Sequence, residues 1–289
     1  MNLLILTDSS RLDISSYQAL HTAADLLRRG HLVSLMCPAD SQLCREAPKY
    51  DLAAKELTLR RRMGFFEGPG YDVVHYYDTE PANALLLKRL SASSKVFISR
   101  VALGGEAAMQ RLKKLEPYVS RFIASCPSVR GDMCAAGIDL ARTFVVPPGI
   151  NPGRWESAML IKHAMFQKRP FKVGTVSMDP TMAEQEFFLK TAKEVLLELP
   201  ETNFMVVGAK DERVRDMARD LGISHKVDVL WDREDMPEVM AMLHIFVKAN
   251  TRPGLSMSLI EAQASGVPCI VPRVRGLSDY VAHGATGYW

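Results

Sequence analysis

The stretch Lys248–Pro272, KANTRPGLSMSLIEAQASGVPCIVP, decides how this chain folds. It follows Leu243–Val247, an apolar run with the length of a buried strand. Arg252-Pro253-Gly254 reads as a turn, Ser256-Met257-Ser258 offers a helix cap, and Leu259–Ser265 reads as the helix. Gly266 stops that helix, and Val267–Val271 reads as a second buried strand. Strand, glycine turn and helix N-terminus in succession form an anion-holding device. The first N–H groups of a helix lack intrahelical acceptors, and glycine lets a ligand approach the backbone closely. Glu261 lies within two turns of the helix start, near enough to touch what binds there.

Upstream, the same alternation of strand and helix continues. Phe171–Val176, Asn203–Val207 and Val227–Leu230 read as strands, and Met182–Leu199, Glu212–Leu221 and Met236–Met242 as helices. The first half behaves alike. Asn2–Thr7, His31–Cys37, Asp72–Tyr77, Lys95–Ser99, Phe122–Ser125 and Thr143–Val146 are the expected strands. Tyr17–Arg29, Pro81–Leu90, Ala107–Leu115 and Ser128–Ala136 are the helices, and Ala39–Gly70 reads as irregular. The densest Pro/Gly cluster, Val146–Gly153, separates the halves. The expectation is an α/β protein of two doubly wound, Rossmann-like domains, 1–148 and 149–289, facing each other across a cleft.

Composition narrows the function. The chain has 289 residues, 47% hydrophobic and 24% charged, as in a globular protein, and its net charge of +3 is too small to argue for nucleic acid. The turn after the first strand, Thr7-Asp8-Ser9-Ser10-Arg11, has no glycine, which excludes the dinucleotide fingerprint. No G-x-x-x-x-G-K-[ST] occurs. The five cysteines form no C-x-x-C pair and the histidines no metal-ligand spacing, so reduced thiols, no metal and a cytoplasmic location are expected. No run is long enough for a membrane span. The basic-aromatic patch Arg60–Phe66 leaves peripheral membrane contact open.

The chain resembles the family-4 (group 1) retaining glycosyltransferases of the GT-B fold. The likeness rests on Leu259-Ile260-Glu261-Ala262-x-Ala264-x-Gly266-x-Pro268-x-Ile270, continued by Gly276-x-x-Asp279-x-Val281 and Gly284-x-Thr286-Gly287. Softer matches are Arg29-Gly30-His31-x-Val33, Asp72-Val73-Val74-His75 and the linker Val146–Asn151. The resemblance implies transfer of a sugar from a nucleotide-diphosphate sugar, with no further cofactor. Glycans and lipid-linked molecules are the acceptor classes it leaves open. Glu261 would accept hydrogen bonds from the ribose hydroxyls, because a carboxylate matches a vicinal diol. Gly254, Leu255, Ser256, Met257 and Ser258 would offer N–H groups to the donor phosphates, and Gly174 and Thr175 would line the donor site.

The chain also departs from that pattern. The acid expected to touch the sugar falls on Pro253. The diphosphate-binding arginine falls on Thr175 or Val176, and the lysine near Glu184 or Gln185. Lys248, Arg252, Arg273 and Arg275 are the cations that stand near strand ends and could substitute. The family continues for several helices past the point matching Trp289, so the resemblance implies a short gene or a fragment. No residue is assigned a catalytic role. Two classes stay open: a glycosyltransferase, and a GT-B-like nucleotide-binding or partner subunit without catalysis.

Overall fold

The computed structural model describes residues 1–10, 13–58, 70–78, 84–151, 153, 155–156, 159–160, 170–176, 182–208, 212–231, 233, 235–249, 251 and 253–289. The readings at Arg60–Phe66 and Arg252 lie outside them. The chain divides into two compact units, Met1–Gly149 and Ile150–Trp289.

The first unit runs β1 (Asn2–Thr7), α1 (Ile14–Arg28), β2 (Leu32–Cys37), α2 (Gln42–Glu46), β3 (Ala54–Glu56), β4 (Val73–Asp78), α3 (Ala84–Leu90), β5 (Lys95–Arg100), α4 (Glu106–Lys114), β6 (Arg121–Ala124), α5 (Pro127–Ala135) and β7 (Thr143–Val145). Its sheet has the order β3-β2-β1-β4-β5-β6-β7, parallel throughout. β1 is central and its Leu3–Leu6 are buried, as expected of a parallel strand covered on both faces. α1 starts at Ile14 because the Asp13 carboxylate accepts the Ser16 N–H at 2.9 Å. It packs Ala19, Leu20, Ala23 and Ala24 inward.

The second unit runs β8 (Lys172–Val176), α6 (Met182–Glu198), β9 (Asn203–Val207), α7 (Glu212–Asp220), β10 (Val227–Leu230), α8 (Met236–Ala241), β11 (Ile245–Val247), α9 (Met257–Ala264), β12 (Cys269–Ile270) and β13 (Gly287–Tyr288). Its parallel sheet has the order β10-β9-β8-β11-β12-β13. Both faces are covered. Phe188, Leu189 and Ala192 of α6 pack with Phe204, Val206 and Val214. Leu259 and Ala262 of α9 join Val176, Met205, Val207 and Phe246 in the second cluster.

Three strand expectations need correction. The segment read as irregular holds β3, a three-residue edge strand whose Ala-Lys-Glu sequence carries no apolar run. Val267–Val271 contributes only Cys269–Ile270, because Pro268 and Pro272 have no N–H for the ladder. Leu243 lies before β11, where it fills the space beside Gly174: a Cβ there would stand 2.4 Å from Leu243 Cδ2.

In each unit the strand order reverses beside its first strand, between β1 and β4 and between β8 and β11. Open parallel sheets bind ligands at the carboxyl ends of the strands flanking such a reversal. Lys248, the Gly254 turn and the start of α9 follow β11 at that edge.

Candidate functional site

Lys248 follows β11 directly. Its backbone N–H donates to the Ile270 carbonyl at 2.9 Å, which fixes the residue at the strand end. Its ammonium donates to the Val176 carbonyl at 3.5 Å and lies 4.0 Å from Glu184 Oε2. Both side chains are nearly covered, at 11% and 12% exposure. A positive charge therefore stands over the ends of β8 and β11, paired with a carboxylate from the first turn of α6.

The loop after β11 is fixed by a second loop. Gly254 has φ +141, and its N–H donates to the Arg275 carbonyl at 3.0 Å. Gly276 has φ +89 and presses on the Gly254 backbone. A Cβ on Gly276 would lie 2.6 Å from Gly254 O and 2.8 Å from its Cα, so no other residue fits there.

From this loop Ser256 caps α9, accepting the Leu259 N–H at 3.3 Å, and its hydroxyl meets that of Ser258 at 2.9 Å. The helix therefore starts at Met257, two residues before the sequence expectation. Leu259 and Ala262 face the core, whereas Met257 and Glu261 are half-buried. The carboxylate of Glu261 belongs to the second turn behind a capped, positive helix end.

The other candidates have distinct places. Gly174 sits in mid-strand against Leu243, and Thr175 is buried in register with Val206. At this strand end it is Val176 whose carbonyl meets the Lys248 ammonium. Pro253 is exposed beside Gly254, and Leu255 is half-buried. Arg273 lays its guanidinium over the Trp289 ring at 4.5 Å, and Arg275 serves the loop through its carbonyl. Of the proposed substitute cations, the structure brings Lys248 to the ends of β8 and β11.

Gln185, named in the sequence only as a place where the family's lysine falls, has a setting that the sequence reading did not draw out. It occupies the apolar stripe of α6 formed with Phe188, Leu189 and Ala192, and is 1% exposed. Among the described residues neither its Oε1 nor its Nε2 has a hydrogen-bond partner. Leaving a buried amide unpaired costs about 1–3 kcal/mol. The signal in the sequence is the polar residue itself, placed where the 3.6-residue period demands an apolar one.

The corresponding edge of the first unit is built otherwise. Tyr76 donates its phenol proton to Asp8 Oδ2 at 2.5 Å, and the Ser9 hydroxyl donates to Asp13 Oδ2 at 2.7 Å. On β4, His75 Nε2 meets Ser99 Oγ at 2.7 Å, and the ring stacks on Tyr77 with centroids 4.4 Å apart. Burial lowers the His75 pKa to about 4 and raises that of Tyr77 to about 12, so both are neutral at pH 7. Among the described residues there is no cluster of His, Cys, Asp and Glu able to hold a metal ion, and no helix long and apolar enough to cross a membrane.

Comparison with known proteins gives this geometry a context. The fold is that of the Anabaena protein HepE, solved in complex with UDP: TM-score 0.77 at 15% identity, over 100% of this chain and 85% of that one. Sucrose-phosphate synthase from Thermosynechococcus elongatus gives 0.70 at 13% identity, again over 100% and 85%. In sequence, the chain is 30% identical over 103 residues to N-acetyl-alpha-D-glucosaminyl L-malate synthase of Bacillus anthracis (35% of this chain, 26% of the relative). It is 26% identical over 158 residues to the UDP-Gal:alpha-D-GlcNAc-diphosphoundecaprenol alpha-1,3-galactosyltransferase of Escherichia coli (53% and 39%). An uncharacterised glycosyltransferase of Methanocaldococcus jannaschii matches at 21% over 253 residues (80% and 65%). The matches thus span from about a quarter to about two thirds of these relatives' lengths. Residues 161–289, nearly all of the second unit, match the family described as Glycosyl transferases group 1. The fold is GT-B, and the second unit is similar in sequence to the group 1 glycosyltransferases.

Proposed function

We propose that the protein transfers a sugar from a nucleotide-diphosphate sugar to a glycan or lipid-linked acceptor, with retention of configuration. The second unit holds the donor and the first takes the acceptor. The observation that carries this reading is the capped start of α9 behind the Gly254 turn, with Glu261 in its second turn and the Lys248 ammonium at the adjoining strand ends. In this reading Glu261 takes the ribose diol. The helix end and Lys248 oppose the charge that builds on the departing nucleoside diphosphate. No cofactor is required, because departure of a diphosphate needs charge stabilisation and no redox chemistry. The five cysteines form no disulfide, which favours a reducing, cytoplasmic setting.

A second reading has one observation in its favour. The acid expected to hold the sugar is Pro253, which offers no acceptor, so the site could bind nucleotide without transferring sugar. Calorimetric titration with UDP, GDP and ADP separates the cases. UDP comes first, since the Anabaena structure of the same fold is described in complex with it. The donor-site reading expects heat with one of the three and a loss of about tenfold or more in affinity for Glu261→Ala. Silence with all three removes both readings, and binding indifferent to Glu261→Ala removes the ribose role. Release of nucleoside diphosphate from a bound sugar donor then separates transferase from binder.

A further inference from the structure

β2 ends at Cys37, whose backbone is held by β3 and the residue after it. Cys37 stands in register with Glu56, and its carbonyl accepts the Leu57 N–H at 2.7 Å. Pro38–Ser41 then turn the chain into α2. Asp40 takes a left-handed φ of 57, and the Ser41 N–H donates to the Pro38 carbonyl at 3.3 Å. The Ser41 hydroxyl caps α2 by accepting the Cys44 N–H at 3.2 Å. This turn folds Cys44 back over the strand end. The sulfurs of Cys37 and Cys44 stand 2.8 Å apart, and the Cys44 thiol lies 3.6 Å from the Pro38 carbonyl. A disulfide bond measures about 2.0 Å, so a shift of less than about 1 Å separates the pair from a bond. The two thiols differ in access: Cys37 is fully buried and Cys44 half-buried. Burial, aided by the contact with Cys44, pushes the Cys37 thiol up to about 12, so it keeps its proton at neutral pH. Cys44 is therefore the sulfur that a reagent meets first, and Cys37 stands behind it as the resolving thiol.

We propose that Cys37 and Cys44 form a reversible disulfide site whose reagent is a low-molecular-weight disulfide. The Cys44 thiolate attacks one sulfur of the reagent. The reagent's S–S bond breaks, and its other half leaves with the electron pair and takes up a proton. Cys37 then gives up its proton and attacks the Cys44 sulfur. The mixed disulfide breaks, and the second half of the reagent leaves as a thiol. The protein dithiol is oxidised, and the reagent is reduced to two thiols. The 2.8 Å approach compensates for the small thiolate fraction of Cys37. The new bond ties the end of β2 to the first turn of α2. Gln42, in that turn, donates its N–H to the Ser10 carbonyl at 3.4 Å, so the tie acts beside the loop after β1, at the carboxyl edge of the first sheet. A reducing setting keeps the pair open and an oxidising shift closes it. The site is independent of the donor-site reading of the second unit.

The test is incubation of the folded protein with oxidised glutathione, followed by capping of the remaining thiols and peptide mapping. The expected result is a link between Cys37 and Cys44, read as a mass about 2 Da below that of the uncapped dithiol and removed by dithiothreitol. Cys37→Ala is expected to trap the intermediate as a glutathione adduct that stays on Cys44. Cys134, half-buried on α5, is read separately in the same map. If Cys37→Ala does not fold, the map of the wild type decides alone. A wild type in which Cys44 keeps its glutathione, or in which both thiols survive, overturns the proposal. A link that forms only in denaturant overturns it as well, because the native turn is then not what brings the sulfurs together. A Cys37→Ala protein without the adduct overturns the order of attack.

Discussion

The two units share a topology and differ at the one edge where such a topology places a ligand. In the first, the residues after β1 bond to one another. Asp8 is taken by Tyr76, Ser9 by Asp13, and Asp13 also caps α1. Its ionisable neighbours His75 and Tyr77 are held neutral. In the second, the equivalent edge carries a nearly covered lysine beside Glu184 and glycine-shaped backbone. The same fold therefore yields one edge with a neutral histidine and tyrosine and another with a lysine beside a carboxylate, and the distinction lies in the side chains, not in strand order.

The sharpest way to break the contrast is Gly276→Ala. The new methyl group meets the Gly254 backbone, and the residue must keep a left-handed φ. Strain and overlap together cost about 3 kcal/mol or more, read as a lower denaturant midpoint for the second unit. Nucleotide binding is expected to vanish with it. Gly30→Ala is the control, since it imposes a positive φ with nothing within 4 Å.

The next effect belongs to the edge of the first unit. His75 takes up its proton at about pH 4 in the folded protein and near 6.5 when unfolded. The unfolded chain thus binds more protons between those values. Stability is whole above pH 6.5 and declines as the pH falls toward 4, by about 2–3 kcal/mol at most. Denaturant titrations at pH 7, 5.5 and 4 should show a shallower decline for His75→Gln. Parallel curves for the two proteins would remove His75 as the cause.

The smallest change is Lys248→Met. It should weaken UDP about tenfold and leave uridine untouched, because the ammonium meets charge and not base or ribose. Glu184→Gln should move UDP affinity the other way by a few fold, since it takes a negative charge from 4.0 Å away. Equal effects of Lys248→Met on UDP and uridine would place the lysine in the structure and not in the site.

The strand–helix alternation of both units was legible because parallel strands buried on both faces read as apolar runs. The turn, the Ser256 cap and the helix stop at Gly266 were legible as local chemistry. β3 and β13 were not, since neither Ala-Lys-Glu nor Gly-Tyr carries an apolar run. Nor was the Lys248–Glu184 pair, whose members are 64 residues apart in sequence and meet only through the β8–β11 register. Gln185 left a trace that was overlooked, one polar residue in an apolar stripe. Its setting needed the fold, which shows no partner for its amide among the described residues.

The contact between Gly276 and Gly254 also limits how this edge can be inherited or rebuilt. Gly254 meets Arg275 and Gly276 backbone to backbone, so neither loop can gain a side chain at that contact while the other stays as it is. A chimera that imports the first segment from a relative without the second brings a key without its lock. The two loops, about twenty residues apart in the chain, form one heritable part.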